Sequence, residues 1–340
     1  MGYYSGTSTG PNDLIDKFRI AALAEGFTVN DFSAVGAGYR LHIQKAASDA
    51  TVMYFNFRSA IAETGTTLIT EDNYGGANGT VTGLIMNGST GYDAGELWHK
   101  QPGYPQNIGE ANKSFGVVMT PMSTTAIPAY YFYFVGDSVH IVVEITAGKF
   151  QFMSFGMLVK QGTYTGGQYF TGSMSSRCPN YDYAGEGVYG SWYSPHYFAA
   201  LQASGYSSAH GAVYVNADAT EDWRVAQGNG NPEIRFPCVA GQQANITYSQ
   251  SGLCSFFWSK APNAYNAMAA MCPIYVLLER SDSNYSLIGW PEGVRFLNCT
   301  NYDPAEEVVY GDETWMVFHA DSQEAAPLNM YCGFAFLKDE

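Results

Sequence analysis

AYYFYFVGDSVHIVVEITAGKFQFMSFGML, residues 129–158, decides the fold class. Ala129 to Val135 is rich in aromatic side chains, which suit the half-buried pleated surface of a strand. Gly136-Asp137 is a two-residue turn of the kind that joins antiparallel neighbours. Beyond it Val139, Ile141, Val143 and Ile145 alternate with His140, Val142 and Glu144, the period of two that marks a strand. Ala147-Gly148 turns the chain again, and Lys149 to Leu158 runs back. The stretch reads as a three-stranded antiparallel meander.

Toward the C-terminus the same pattern returns. Pro273 to Glu279 alternates Ile274, Val276 and Leu278, and Gly293 to Leu297 starts another strand. Val308 to Tyr310, a Gly311-Asp312 turn and Thr314 to His319 read as a hairpin, and Met330 to Lys338 as a closing strand. Toward the N-terminus, residues 1–11 are rich in Gly, Ser and Thr and read as a flexible arm unless a neighbour orders it. One helix is expected next. Asn12 is its candidate cap, Asp13 and Asp16 lie in the first turn, where the helix dipole favours anions, and Gly26 ends it. Leu14, Ile15, Phe18, Ala22 and Leu23 form its apolar stripe. Strands are expected at Tyr39 to Gln44 and Thr51 to Phe57, the second apolar on both faces and so buried on both.

The expected fold class is mainly β, with antiparallel meanders in a sandwich-like arrangement and a small N-terminal α+β unit. Residues 1–60 hold the arm, helix and first strands, and residues 61–164 the first part of a β core. Residues 165–271 form a Gly- and Tyr-rich insertion of loops and short strands, part of it projecting. Residues 272–340 form the second part of the core.

Charged residues make up only 14% of the 340, against about a quarter in an average soluble domain. Hydrophobic residues make up 46%, which rules out a disordered chain. Tyr is abundant, at 26. A Tyr-rich sheet accounts for that, and so does a surface that is wet before assembly and buried after it. The charge deficit tips the reading toward interfaces, whose cores are depleted in charge. The net charge is −15 and the 16 Lys and Arg form no basic run, so neither nucleic acid nor an anionic membrane is an expected partner. No apolar stretch is long enough for a membrane-spanning helix. The six Cys form no Cys-x-x-Cys pair; buried thiols are the first reading, and disulfide bridges within or between subunits the alternative.

No hydrolase elbow, phosphate loop or zinc-protease helix motif is present, so no catalytic, cofactor or metal site is expected. The six His are scattered singly; a metal site would have to assemble in space, for example from His196 and His210 with Asp182. Asp93 and Glu96 near Trp98, and Glu221 and Asp222 before Trp223, are acids beside Trp, as a sugar-cleaving site would need. A loop around one buried Trp looks the same. Glycan or partner binding by aromatic stacking is the stronger reading, with Trp192, Tyr193, Tyr197 and Trp223 as the candidate contacts.

Two stretches carry a resemblance. One is Tyr130-Tyr131-Phe132-Tyr133-Phe134 with Val139 to Ile145, Phe150 to Leu158 and Gly166-Gly167-Gln168-Tyr169. The other is Gly289-Trp290-Pro291-Glu292-Gly293-Val294-Arg295-Phe296-Leu297 with Val308 to Trp315 and Gly333-Phe334-Ala335-Phe336. Together with the opening helix and Phe55-Asn56-Phe57-Arg58-Ser59, they resemble virion structural proteins of tailed phages, of the tail and baseplate group. The resemblance covers about half the chain and rests on packing and turn motifs. It implies a virion component without cofactor, assembled in the host cytoplasm and held by other copies of itself and by neighbouring tail proteins. It carries no catalytic residue. A receptor- or glycan-binding tail-tip module and a head decoration protein are the alternative expectations.

Overall fold

The computed structural model describes residues 1–64, 80–106, 114, 116–120, 122–175, 211–217, 220–225, 234–235, 268–280, 285–319 and 332–339. In chain order the elements begin with β1 (Gly2–Ser8), α1 (Pro11–Ala24), β2 (Thr28–Val35), β3 (Gly38–Ala46) and β4 (Val52–Thr64). Next come β5 (Thr80–Ser89), β6 (Val117–Met119), β7 (Ile127–Val135), β8 (Ser138–Thr146), β9 (Lys149–Met157) and β10 (Val159–Lys160). The middle holds β11 (Gly166–Gly172), β12 (Met174–Ser175), β13 (Gly211–Ala217), β14 (Thr220–Val225) and β15 (Ile234–Arg235). The chain closes with β16 (Cys272–Pro273), β17 (Val276–Glu279), β18 (Tyr285–Trp290), β19 (Val294–Asn298), β20 (Glu306–Tyr310), β21 (Glu313–His319) and β22 (Cys332–Asp339).

The fold is mainly β, and the strand pairs among the described residues are antiparallel. The meander of residues 129–158 is the centre of a seven-stranded sheet ordered β1-β7-β8-β9-β11-β13-β14. Its first turn is as tight as the sequence requires. Gly136 takes φ +55°, a left-handed conformation open to glycine, and Val135 pairs directly with Ser138.

Both faces of this sheet are buried. On one face Phe132, Phe134, Val139, Ile141, Met153, Phe155 and Phe170 meet the six-stranded sheet β12-β6-β5-β4-β3-β2 and the helix. On the other face Tyr133, Val142, Phe150, Phe152, Tyr169 and Val213 meet the five-stranded sheet β16-β19-β22-β21-β20 and the four-stranded sheet β10-β18-β17-β15. Burial on two sides explains why the meander lacks the polar alternate face of a one-sided sheet.

Several expectations change. Residues 2–8 are no loose arm: β1 pairs with β7 from Gly2 opposite Phe134 to Ser8 opposite Ile127. As an edge strand of a sheet buried on both faces, β1 sends Tyr3 against Tyr133 on one side and Tyr4 against Phe134 on the other. The helix begins two residues early, with Gly10 at the cap and Pro11 in the first turn, where a missing N–H costs nothing. Asn12 therefore does not cap it. Its side chain instead donates to the Ala37 carbonyl and accepts from Ser59 Oγ. Leu23 is exposed rather than part of the buried stripe, and Ala21 takes that place. Strand β2 and the ten-residue β5 stand where no clear strand was expected. Of the region 165–271, β11, β13 and β14 are integral strands of the seven-stranded sheet rather than projections.

Candidate binding cleft

An open cleft of about 400 Å³ forms where the β17–β18 hairpin packs beside the end of β13. Its first wall is the Gln161–Tyr164 turn between β10 and β11. Gly162 allows this turn with φ +91°. The Gln161 amide and the Tyr164 hydroxyl both donate to the Ile288 carbonyl, at 2.9 and 2.8 Å. Burial raises the Tyr164 hydroxyl well above its ordinary pKa, and the Asp49 carboxylate adds to the effect. The phenol therefore stays protonated and keeps donating. Lys160 lies over the Tyr164 ring, 5.4 Å from its centroid, and pairs with Asp49 at 2.6 Å.

Val215 and Asn216 form the second wall, held by the Asn216 amide donating to the Thr165 carbonyl at 3.0 Å. The third wall is the hairpin. Leu278 lies opposite Ser286, and Ile288 and Arg280, the residue just past β17, line the same cleft. Leu278 and Ile288 are buried in the core, whereas Arg280 and Ser286 are half-buried, with 3.5 Å between Arg280 Nη1 and Ser286 Oγ. The cleft thus has an apolar floor of Val215, Leu278 and Ile288 and a polar rim that includes one guanidinium. None of these residues stood out in the sequence as part of a site. They come from three segments far apart in the chain and match no local motif.

The residues singled out from the sequence lie elsewhere. Trp223 is no exposed platform. It is 5% exposed, its indole N–H donates to the Gly103 carbonyl at 2.7 Å, and its ring packs edge-on to Phe170. A buried ring with its one polar atom engaged is not open to stack on a ligand. Trp192, Tyr193 and Tyr197 lie outside the described residues, as do His196, His210 and Asp182. Asp93 Oδ1 accepts from the Gly95 amide, and Trp98 is buried with Ala60, Val81, Ile85 and Val118. Asp222 accepts from the adjacent Trp223 amide. These acids therefore serve local turns and strand ends. Among the described residues no three His, Cys, Asp or Glu side chains gather into a group able to hold a metal ion.

One pairing resembles a nucleophile with its base: His140 Nδ1 lies 2.9 Å from Ser154 Oγ. Both residues are fully buried, and His140 Nε2 lies 2.6 Å from the Glu292 carbonyl oxygen. Nearby, Ser138 Oγ accepts from the Tyr169 hydroxyl and from the Glu292 amide. The cluster fastens the turn before β19 onto the central sheet.

Burial lowers the His140 pKa to about 4, only partly opposed by its hydrogen bond to the Glu292 carbonyl. Burial also lowers that of His42. The folded protein therefore holds neutral imidazoles that the unfolded chain would protonate. The stabilising contribution of neutral His140 is complete above pH ~6.5 and is lost as the pH falls toward about 4. For His140 alone the loss is about 3 kcal/mol. Chemical-denaturation midpoints at pH 7, 5.5 and 4 should fall steeply across this window, and His140→Asn should flatten that part of the curve. The Asp49–Lys160 pair weakens only at lower pH. Burial alone would raise the Asp49 pKa, but hydrogen bonds from Lys160 and Thr51 bring it to about 2.

No protein-family model matches this chain, and no curated protein matches it. The molecule is thus defined by its own structure: an antiparallel, mainly β protein with a central sheet buried on both faces and a polar cleft at that sheet's margin.

Proposed function

We propose that the chain is a structural component of a phage virion, of the tail or baseplate, acting through contacts between subunits rather than through catalysis. The observation that carries this reading is the edge strand β20. It ends its sheet and pairs with β21, while Val309 is 66% and Tyr310 44% exposed. An exposed apolar pair at the end of an edge strand that otherwise carries Glu306 and Glu307 is a ready surface for a protein that assembles. A second exposed apolar pair, Ile20 and Leu23, lies one turn apart on the helix that borders the other core. Two unlike patches suit head-to-tail contacts, the kind that close into rings. The resemblance to tailed-phage virion proteins and the low charge content point the same way.

Immunogold labelling of whole particles tests the station, with label expected at the tail end. Label on the head would select a decoration role instead. Val309→Lys combined with Tyr310→Lys changes only exposed side chains. It should leave the isolated protein folded and sharply reduce its incorporation into particles. Normal incorporation would sink the edge-strand reading. The cleft favours a second reading, a receptor- or glycan-binding module at the tail tip.

A further inference from the structure

We propose that the outer edge of β1 is a self-association surface, pairing antiparallel with β1 of a second copy of this chain across a twofold axis and so joining two central sheets. The contact is separate from β20 and from the station in the particle, so each can fail without the other.

The argument starts from what the sheet edges carry. Among the described residues the sheets end on β1 and β14, β10 and β15, β12 and β2, and β16 and β20. Of these, β10, β12, β15 and β16 have two residues each. Among the longer edges, β14 carries Glu221, Asp222 and Arg224, β2 carries Asp31, and β20 carries Glu306 and Glu307. Strand β1, GYYSGTS, carries no charge and no Pro. Edge strands that stay single are commonly guarded by charges, Pro or bulges. Here the register is regular from Gly2 to Gly6 and shifts only beyond.

Strand alternation shows which backbone groups are open. Val135 and Ser138 close the two-residue turn as a bonded pair, so Phe134, Phe132 and Tyr130 turn their N–H and C=O toward β1. Their partners Gly2, Tyr4 and Gly6 are thereby satisfied, and Tyr3 and Ser5 turn theirs outward. The Thr7 carbonyl, next in that series, accepts from Lys17 Nζ at 2.8 Å. Among the described residues no strand pairs with this side of β1.

Charge and register select the occupant. Charged groups that touch β1 are engaged within the chain: Lys17 with Asp13, Lys338 with Glu307, and Glu25 with the Tyr4 hydroxyl. A charged strand gains no counter-charge here, and a neutral one gives none up. Two copies at net charge −15 repel each other, and an uncharged edge is where their approach costs least. A twofold axis at Tyr4 sets Tyr3 opposite Ser5 of the partner subunit, so that outward groups meet outward groups in a hydrogen-bonded pair, which symmetry repeats. Tyr4 then meets its own mate as an aromatic cross-strand pair, with Gly2 and Gly6 leaving it room. Such isologous contacts are the commonest among homo-oligomers.

Sedimentation of the full chain over a dilution series tests this, with a dimer expected that dissociates on dilution. Ser5 has an exposed side chain and an N–H that β7 does not use, so Ser5→Pro spares the central sheet and removes the outward donor. It should weaken dimerisation at least about tenfold, with the unfolding midpoint of the dilute protein unchanged. Ser5→Lys keeps the donor but guards the edge with a charge; it should also weaken the dimer, and it covers the case in which the proline unsettles β1. Hydrogen exchange at the Tyr3 and Ser5 amides should slow as concentration rises, while that at Tyr4 and Gly6 stays constant. A monomer at every concentration, including one whose edge is taken up only by a different protein, would overturn the proposal. So would a dimer that both variants leave intact, or Tyr3 and Ser5 amides equally protected at every dilution.

Discussion

Phe18→Ala should destabilise the protein by about 3–5 kcal/mol, the range for truncating a fully buried aromatic residue. Phe18 is 1% exposed and is the point where the helix enters the core between the central and six-stranded sheets. Its ring centroid lies 5.2 Å from Phe57 of β4, 5.3 Å from Phe132 and 6.2 Å from Phe134 of β7, and 6.0 Å from Phe155 of β9. One side chain thus bridges both sheets. Its removal leaves a void that four rings on three strands cannot all move to fill. Two of these contacts are edge-to-face, a geometry worth about 0.5–1.5 kcal/mol beyond burial alone. Phe18→Leu should cost clearly less, since it retains most of the volume. Guanidinium unfolding followed by tryptophan fluorescence measures both. A loss below about 1 kcal/mol for the alanine variant would show that the helix is not seated by this residue.

The second large effect is expected at Glu63. Its carboxylate pairs with Arg58, and the two side chains are only 12% and 4% exposed. Arg58 points away from the Phe55 and Phe57 face of β4, and its guanidinium also reaches the Val35 carbonyl at 3.4 Å. Burial disfavours the charged guanidinium, and the Glu63 carboxylate opposes that. Glu63→Ala removes a counter-charge from a buried cation, a change that costs about 3–5 kcal/mol in comparable buried pairs. Replacing both partners, as in Arg58→Met with Glu63→Leu, should recover most of that loss, because no charge then remains to be desolvated. Urea unfolding of the single and double variants measures this. A double variant as unstable as the single one would mean that packing around Arg58, and not its charge, sets the cost.

Helix α1 shows how local signals miss by two residues. Asn12 is a good cap by residue type, yet Gly10 and Pro11 take the start. The Asn12 side chain is drawn away by Ala37 and Ser59, neighbours that exist only once the strands have formed. The expected stripe wrongly took in Leu23: the helix borders the core with one face, which holds Ala21 and Ala22, and Leu23 lies outside it.

The short strands failed differently. Gly2–Ser8, Gly166–Gly172 and Gly211–Ala217 begin with Gly and mix small residues with a few strand formers, so no long alternating pattern marks them. They become strands because β7, β9 and β11 offer backbone groups that must be paired once buried. The cleft was invisible for a similar reason, since Tyr164, Asn216 and Arg280 share no spacing.

By itself the sequence determined the antiparallel, mainly β class and the meander at its centre, because alternation and two-residue turns act between neighbours in the chain. It also determined the Gly311-Asp312 hairpin, placed between β20 and β21, for the same reason. Only the tertiary structure decided that the central sheet is covered on both faces. It placed His140 and Ser154 beneath a second layer and took Trp223 out of reach of any ligand. It also brought Arg280 to the rim of a cleft. Burial and the closing of clefts depend on contacts between residues more than a hundred positions apart, and a one-dimensional pattern carries no record of such distances.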